Sequence, residues 1–268
     1  MNVSILKNLL TSDNTKIGVG VVAGVKILKS SKTFNNIWDI TIGNRLEAWN
    51  QKSIFKNQQD VEKFKNDCLE KISKIPENKI QDPKLSIIGP ALEASKFYIE
   101  EEEIRNMFSN LVAASMNSEH DDKIHHSFIE IIKQLSPYDA ILFNSLKPSN
   151  PFLEISFKVL DDDSHGEIPF IPIFFTNKLC GDYRKNPISL TNLEKQGLIK
   201  FPHNCHLLTQ GIYNDLYNHP EYLKLKHTKL APIELQNDHH SIEIKDTKKL
   251  FELTPLGNAF KKICCTNP

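Results

Sequence analysis

The chain has 268 residues, 40% of them hydrophobic and 25% charged, with 33 basic residues balancing 33 acidic ones. This length suits one large domain or two modest ones, and the composition is that of an ordinary soluble protein. Zero net charge argues against a chain whose main work is to coat nucleic acid, while leaving room for a local basic face.

Residues 1–80 read as an N-terminal helical region. The opening, MNVSILKNLLTSDNTK, lacks an uninterrupted apolar core followed by a small-residue cleavage site, so no secretory leader is expected. A short helix is expected over 3–10. Residues 17–28, IGVGVVAGVKIL, are apolar apart from Lys26. The run is too short to cross a bilayer as one helix, which needs about 20 residues. Two readings stay open for its Gly18, Gly20, Val21 and Gly24: a buried helix whose glycines allow close helix contact, or a membrane-perturbing segment. Helices are expected near 34–51 and 58–75, the second carrying Val61, Phe64, Cys68, Leu69, Ile72 and Ile75 at steps of three and four. Pro76 stops it.

Residues 81–148 read as a central helical domain. The stretch from 87 to 146 is IIGPALEASKFYIEEEEIRNMFSNLVAASMNSEHDDKIHHSFIEIIKQLSPYDAILFNSL. Its apolar residues recur at helical spacing, the pattern of amphipathic helices packed on one another. Gly89 and Pro90 are expected to break or restart the first helix, which runs to about Tyr98. The next opens near Glu100 with four glutamates, which the helix dipole favours in a first turn. A divalent cation is the other use for such a cluster. A further helix is expected over 124–135, with His125 and His126 on different faces, one exposed and one packed. Ser136 and Pro137 supply the cap and first position of the helix after it.

Residues 149–268 change texture. PSNPFLEISFKVL and GEIPFIPIFFTN are aromatic and β-branched runs broken by proline, expected as edge strands or extended segments around an Asp161–Asp163 turn. A short helix over 188–198 ends at Gly197, and another is expected over 213–225. Strand candidates follow near 230–235, 241–245 and 250–253. Thr254 and Pro255 cap and start a last helix. The fold class expected is therefore mainly α, a helical N-terminal and central region followed by a smaller α+β, winged-helix-like C-terminal region.

A winged helix places one helix in the major groove and strands beside it. The cations available for DNA would be Lys195 on the helix and Lys245, Lys248 and Lys249 on the wing, few for phosphate contacts. His203, Cys205 and His206 are the most metal-like cluster, with types that suit zinc but spacings that match no common zinc site. Cys264 and Cys265 could join them, whereas His239 and His240 make a poorer cluster still. The five cysteines, Cys68, Cys180, Cys205, Cys264 and Cys265, contain no C-x-x-C pair. Reduced thiols in a cytoplasmic compartment are expected, with no disulfide framework and no cofactor. Gly18, Gly20 and Gly24 miss the dinucleotide spacing, and no G-x-S-x-G, P-loop, H-E-x-x-H or kinase motif occurs.

GPALEASKFYIEEEEIRNMFSNLVAASM, then HHSFIEIIKQLSPYDAILFNSL, then the closing ELTPLGNAFKKICC, resemble in order the Abi-alpha (abortive infection alpha) family of bacterial proteins. The resemblance covers about residues 85–265, and its motifs are packing patterns. It implies a mainly helical protein associated with defence against phage, and it brings no catalytic residue set to carry over. The expectation is a cytoplasmic defence protein that acts through macromolecular contacts, with a protein partner or self-association. The alternatives are a winged-helix DNA-binding regulator and a membrane-perturbing effector using residues 17–28.

Overall fold

The computed structural model describes residues 32–42, 54–160, 165–227, 233–235 and 238–265. The protein is mainly α, with a smaller α+β region toward the C-terminus. Its contacts divide the chain into two compact units, residues 1–134 with 259–268, and residues 135–258. The apolar segment holding Gly18, Gly20, Val21 and Gly24 lies outside the described residues.

In the first unit, residues 32–41 are helical, followed by α1 (Ile54–Ser73), α2 (Leu85–Ser95), α3 (Glu102–Ser115) and α4 (Ser127–Lys133). A π-helical turn, Lys261–Cys265, also belongs to this unit. Helix α3 is the centre. From Ile104 to Ser115 all but Asn106 is buried, because α1, α2, α4 and the π-turn all pack on it. A helix covered this widely needs side chains that are apolar or bonded within the core: Met107, Phe108, Leu111, Val112, Ala113 and Ala114 are apolar, and Ser109, Asn110 and Ser115 each donate a hydrogen bond to a backbone carbonyl. Trp38 lies between Phe34 and Phe64, with ring centroids 5.7 and 5.6 Å away. Phe128 meets Phe260 edge-on at 5.3 Å, and the Asn110 amide donates to the Cys264 carbonyl at 2.8 Å.

Gly89 and Pro90 do not break α2, which runs unbroken from Leu85 to Ser95. Proline costs one helical hydrogen bond there. The buried face of Ile87, Ile88, Ala91 and Leu92 outweighs that loss, since packing supplies most of a short helix's stability. The helix ends earlier than expected, at Ser95. The helix expected from residue 124 starts at Ser127, and His125 and His126 are both exposed ahead of it.

The second unit contains α5 (Pro137–Ser145), β1 (Ser149–Leu160), β2 (His165–Phe174), α6 (Asn186–Lys195), β3 (Ile199–Lys200), α7 (Asn214–Tyr217), α8 (Pro220–His227), β4 (Ile233–Leu235), β5 (Asp238–Leu253) and the start of α9 (Pro255–Phe260). The strands run antiparallel in the order β2-β1-β5-β3, and β4 also pairs with β5. β2 is at the edge, where its Pro169 and Pro172 are tolerated. β1 corrects the expectation of an edge strand, for it lies between β2 and β5. Its Pro151 is accommodated because pairing with β2 begins only at Leu153, so the first residues of β1 have β5 alone beside them. The strand candidates near 241–245 and 250–253 are one 16-residue strand, β5. The expected helix over 213–225 is two, α7 and α8, separated at Asn218 and His219 just before Pro220.

Local signals act as expected at three joints. Ser136 and Asp139 form a complete capping box for α5. Gly197, with φ +70°, closes α6, and the Leu198 amide reaches back to the Leu193 carbonyl at 3.0 Å, the bond of a Schellman end. Thr254 caps α9 by accepting from the Gly257 amide at 2.9 Å.

Candidate functional site

The pairing of β1 with β5 sets Leu153 opposite Lys248, Ile155 opposite Asp246 and Phe157 opposite Ile244. Alternation along a strand puts these six on one face of the sheet. Tyr213, α7 and α8 cover that face. Leu153, Ile155, Phe174, Tyr213, Leu216 and Tyr222 form one buried cluster. A carboxylate set among such residues needs donors, and Asp246 has two. The Tyr222 hydroxyl donates to its Oδ1 at 2.8 Å and the Tyr217 hydroxyl to its Oδ2 at 2.9 Å. Tyr213 donates to the Lys249 carbonyl at 2.9 Å and accepts from the Leu207 amide at 3.0 Å.

Cations rim these rings. Lys248 Nζ is 5.5 Å from the Tyr213 ring centroid and 5.9 Å from that of Tyr217. Lys226 stands 5.7 Å from the Tyr222 ring and Arg184 5.3 Å from the Tyr183 ring. Burial first, and then the bond to Asp246, pushes the Tyr217 and Tyr222 hydroxyls well above the ordinary phenol range. Both therefore stay protonated near neutral pH and act as donors. With each Asp246 oxygen bonded to a phenol, the group pins α7 and α8 to β5 and offers no poised base.

A second polar group lies in the first unit, between α1 and α3. Lys71 donates to Ser109 Oγ and to the Asn106 carbonyl, and the Ser109 hydroxyl donates to the same carbonyl at 2.9 Å. Burial, the largest cause, lowers the Lys71 ammonium below its usual range. Cys68 next to it is buried, and burial pushes its thiol up more strongly than Lys71 pulls it down. A serine beside a lysine of lowered pKa is the composition of a nucleophile and base. Ser109, however, is 0% exposed. The adjacent Arg105 is also buried, its Nη1 donating to the Ile99 carbonyl at 2.8 Å and its Nε lying 3.4 Å from Asp67. These bonds satisfy polar groups inside the helical core.

The lysines singled out on β5 do not share one face. Lys245 pairs with Glu167, and Lys249 lies 3.7 Å from Glu154, both on the sheet face opposite Asp246. Lys248 is on the Asp246 face, over tyrosines. The wing lysines thus occupy two faces, and two of the three have carboxylate partners. Lys195 is exposed at the end of α6. His203, Cys205 and His206 are exposed on a loop, where the Cys205 thiol donates to the His203 carbonyl at 3.3 Å. Cys264 is buried and its thiol raised by that burial. Among the described residues no group of three or more His, Cys, Asp or Glu side chains is arranged to hold a metal. Glu102 and Glu103 occupy the first turn of α3, with Glu102 4.0 Å from Lys63. The side chains of His239 and His240 lie outside the described residues.

Sequence reasoning passed over the tyrosine–aspartate group. A trace of it was there: Tyr213, Tyr217 and Tyr222 fall within ten residues, and Asp246 is an acid on a strand position facing the core. Among the described residues no helix is long and apolar enough to cross a membrane. The model of the family described as Abortive infection alpha matches residues 56–264. Neither the curated proteins nor the solved structures contain a match.

Proposed function

The chain belongs to the Abortive infection alpha family, and from that premise we propose that it serves anti-phage defence of the abortive-infection type in the bacterial cytoplasm, acting through contacts with a macromolecule and not through a reaction of its own. The observation that carries this reading is the state of the two polar groups described above. Lys71, Ser109 and Cys68 are sealed in a helical core, and Asp246 has both oxygens bonded to phenols. A reaction centre needs such groups open to a substrate. The partner is a protein or a second copy of the chain.

The winged-helix-like reading of the C-terminal region draws on α6, which passes through Gly197 into β3, itself paired with the end of β5. A DNA-regulator role is the weaker reading, because the pairing of Lys245 and Lys249 with Glu167 and Glu154 removes the basic stripe that phosphate binding needs. The membrane-perturbing reading rests on residues 17–28, outside the described residues.

The test is a phage challenge of a bacterial host carrying the gene. Expected are a lower efficiency of plating and arrest of infected cells before phage release. Unchanged plating over a broad phage panel overturns the defence reading. Turnover of nucleotide, nucleic acid or peptide by the purified chain overturns the contact mechanism.

A further inference from the structure

Two aliphatic side chains of the second unit stand in solvent on a rigid mount. Leu179 is 70% exposed and Ile188 76% exposed. Single exposed aliphatics are ordinary, but these two issue from one hydrogen-bonded knot. Asn177 Oδ1 accepts from the Leu179 amide at 2.9 Å and the Cys180 amide at 2.7 Å, while its Nδ2 donates to Ser145 Oγ at 2.8 Å. Asn186 is buried at the start of α6. Its Nδ2 donates to the carbonyls of Phe175 and Cys180 at 2.7 and 3.0 Å, and its Oδ1 accepts from the Tyr138 hydroxyl at 2.8 Å. The loop that presents Leu179 is therefore tied to the helical turn that presents Ile188.

Cations flank the pair along the chain. Lys178, Arg184 and Lys185 are exposed; the carboxylates against them are Asp182, whose Oδ1 accepts from the Arg184 amide at 3.0 Å, and Glu221, which acts electrostatically on Arg184. Lys195 follows Ile188 by seven residues, two turns on along the same face of α6. Protein interfaces deplete lysine around an apolar centre. Single-stranded nucleic acid is gripped by exposed aromatic rings with cations, not by aliphatic tips. Aliphatic side chains held out from the surface among lysines and an arginine match the acyl boundary and phosphate layer of an anionic bilayer.

We propose that this knot is a docking point for an anionic lipid surface: Leu179 and Ile188 enter the acyl boundary, and Lys178, Arg184, Lys185 and Lys195 meet the phosphates. The inference stands apart from the defence reading, because vesicle binding is measured without phage.

The test sediments the full chain with phosphatidylcholine vesicles, with and without phosphatidylserine. Binding is expected to the anionic vesicles and to fall as salt rises. L179D with I188D should lower partition about tenfold or more. K178E with K185E should lower it by about fivefold per lysine or more. All four positions are exposed, so both variants keep the wild-type melting temperature and circular dichroism, which separates lost binding from lost fold. Absence of sedimentation, equal binding to neutral vesicles, or wild-type partition by either double variant overturns the proposal. Binding of single-stranded RNA that vesicles do not displace overturns it too.

Discussion

Gly257 lies so close to Leu198 that a Cβ built on it would stand 1.9 Å from the Leu198 carbonyl oxygen. That oxygen also accepts from the Thr254 amide at 3.0 Å. The first turn of α9 thus rests on Leu198, between α6 and β3, backbone against backbone. Gly257→Ala should destabilise the protein by about 3 kcal/mol, since the neighbour is main chain and yields little. Gly89→Ala is the control. A Cβ at Gly89 meets nothing within 4 Å, and alanine in a helix interior is favoured by about 0.5–1 kcal/mol. Thermal melts of the two should move in opposite directions.

Asp246 should be worth more than either of its tyrosines. Asp246→Ala leaves the Tyr217 and Tyr222 hydroxyls without their acceptor and is expected to cost about 3 kcal/mol. Tyr222→Phe removes one bond and should cost about 1 kcal/mol. In denaturant titrations of the double variant the two losses should fall short of additive. Full additivity would mean that the pair is not coupled.

Stability should fall at high pH. The folded-state pKa of Tyr217 and Tyr222 lies above the ordinary value of 10.0. Above that pH the unfolded chain gives up protons that the folded chain keeps, so unfolding is increasingly favoured. The contribution is complete below the ordinary phenol pKa and is lost as pH rises toward the folded one. Tyr217→Phe with Tyr222→Phe should flatten this alkaline limb of a melting-temperature profile.

Lys71 has the opposite sign. Its folded-state pKa lies below the ordinary 10.5, so the unfolded chain binds more protons between the two values and stability rises with pH across that window. Lys71→Met should remove that slope. It should also leave stability at neutral pH unchanged or raised by about 1 kcal/mol, because a buried cation is exchanged for an apolar chain of similar length. A loss beyond about 2 kcal/mol would show that the bonds to Ser109 and Asn106 outweigh the desolvation of the ammonium.

The lysines on β5 should bind duplex DNA poorly. With Lys245 and Lys249 paired to carboxylates and Lys248 on the other face, the salt dependence of any mobility shift should correspond to no more than about two phosphates. A steeper slope, abolished by replacing Lys195, Lys245, Lys248 and Lys249, would restore the DNA reading.

The sequence by itself determined what is local. Helical periodicity located α1 and α3, and the caps at Ser136, Gly197 and Thr254 were legible because each bond spans only a few residues. The ordered blocks that match the family were legible for the same reason. Tertiary structure decided what depends on distant partners. Pro90 stays inside α2 because neighbours cover Ile87, Ile88, Ala91 and Leu92. β1 becomes an inner strand, and β5 a single long one, only once their pairing partners are known. Cys264 meets Asn110 across 154 residues, and Asp246 finds its tyrosines 24 and 29 residues away. Such pairings leave little trace in a window of ten residues, since they are fixed by the burial of whole faces and by the need of each buried polar group for a donor or acceptor.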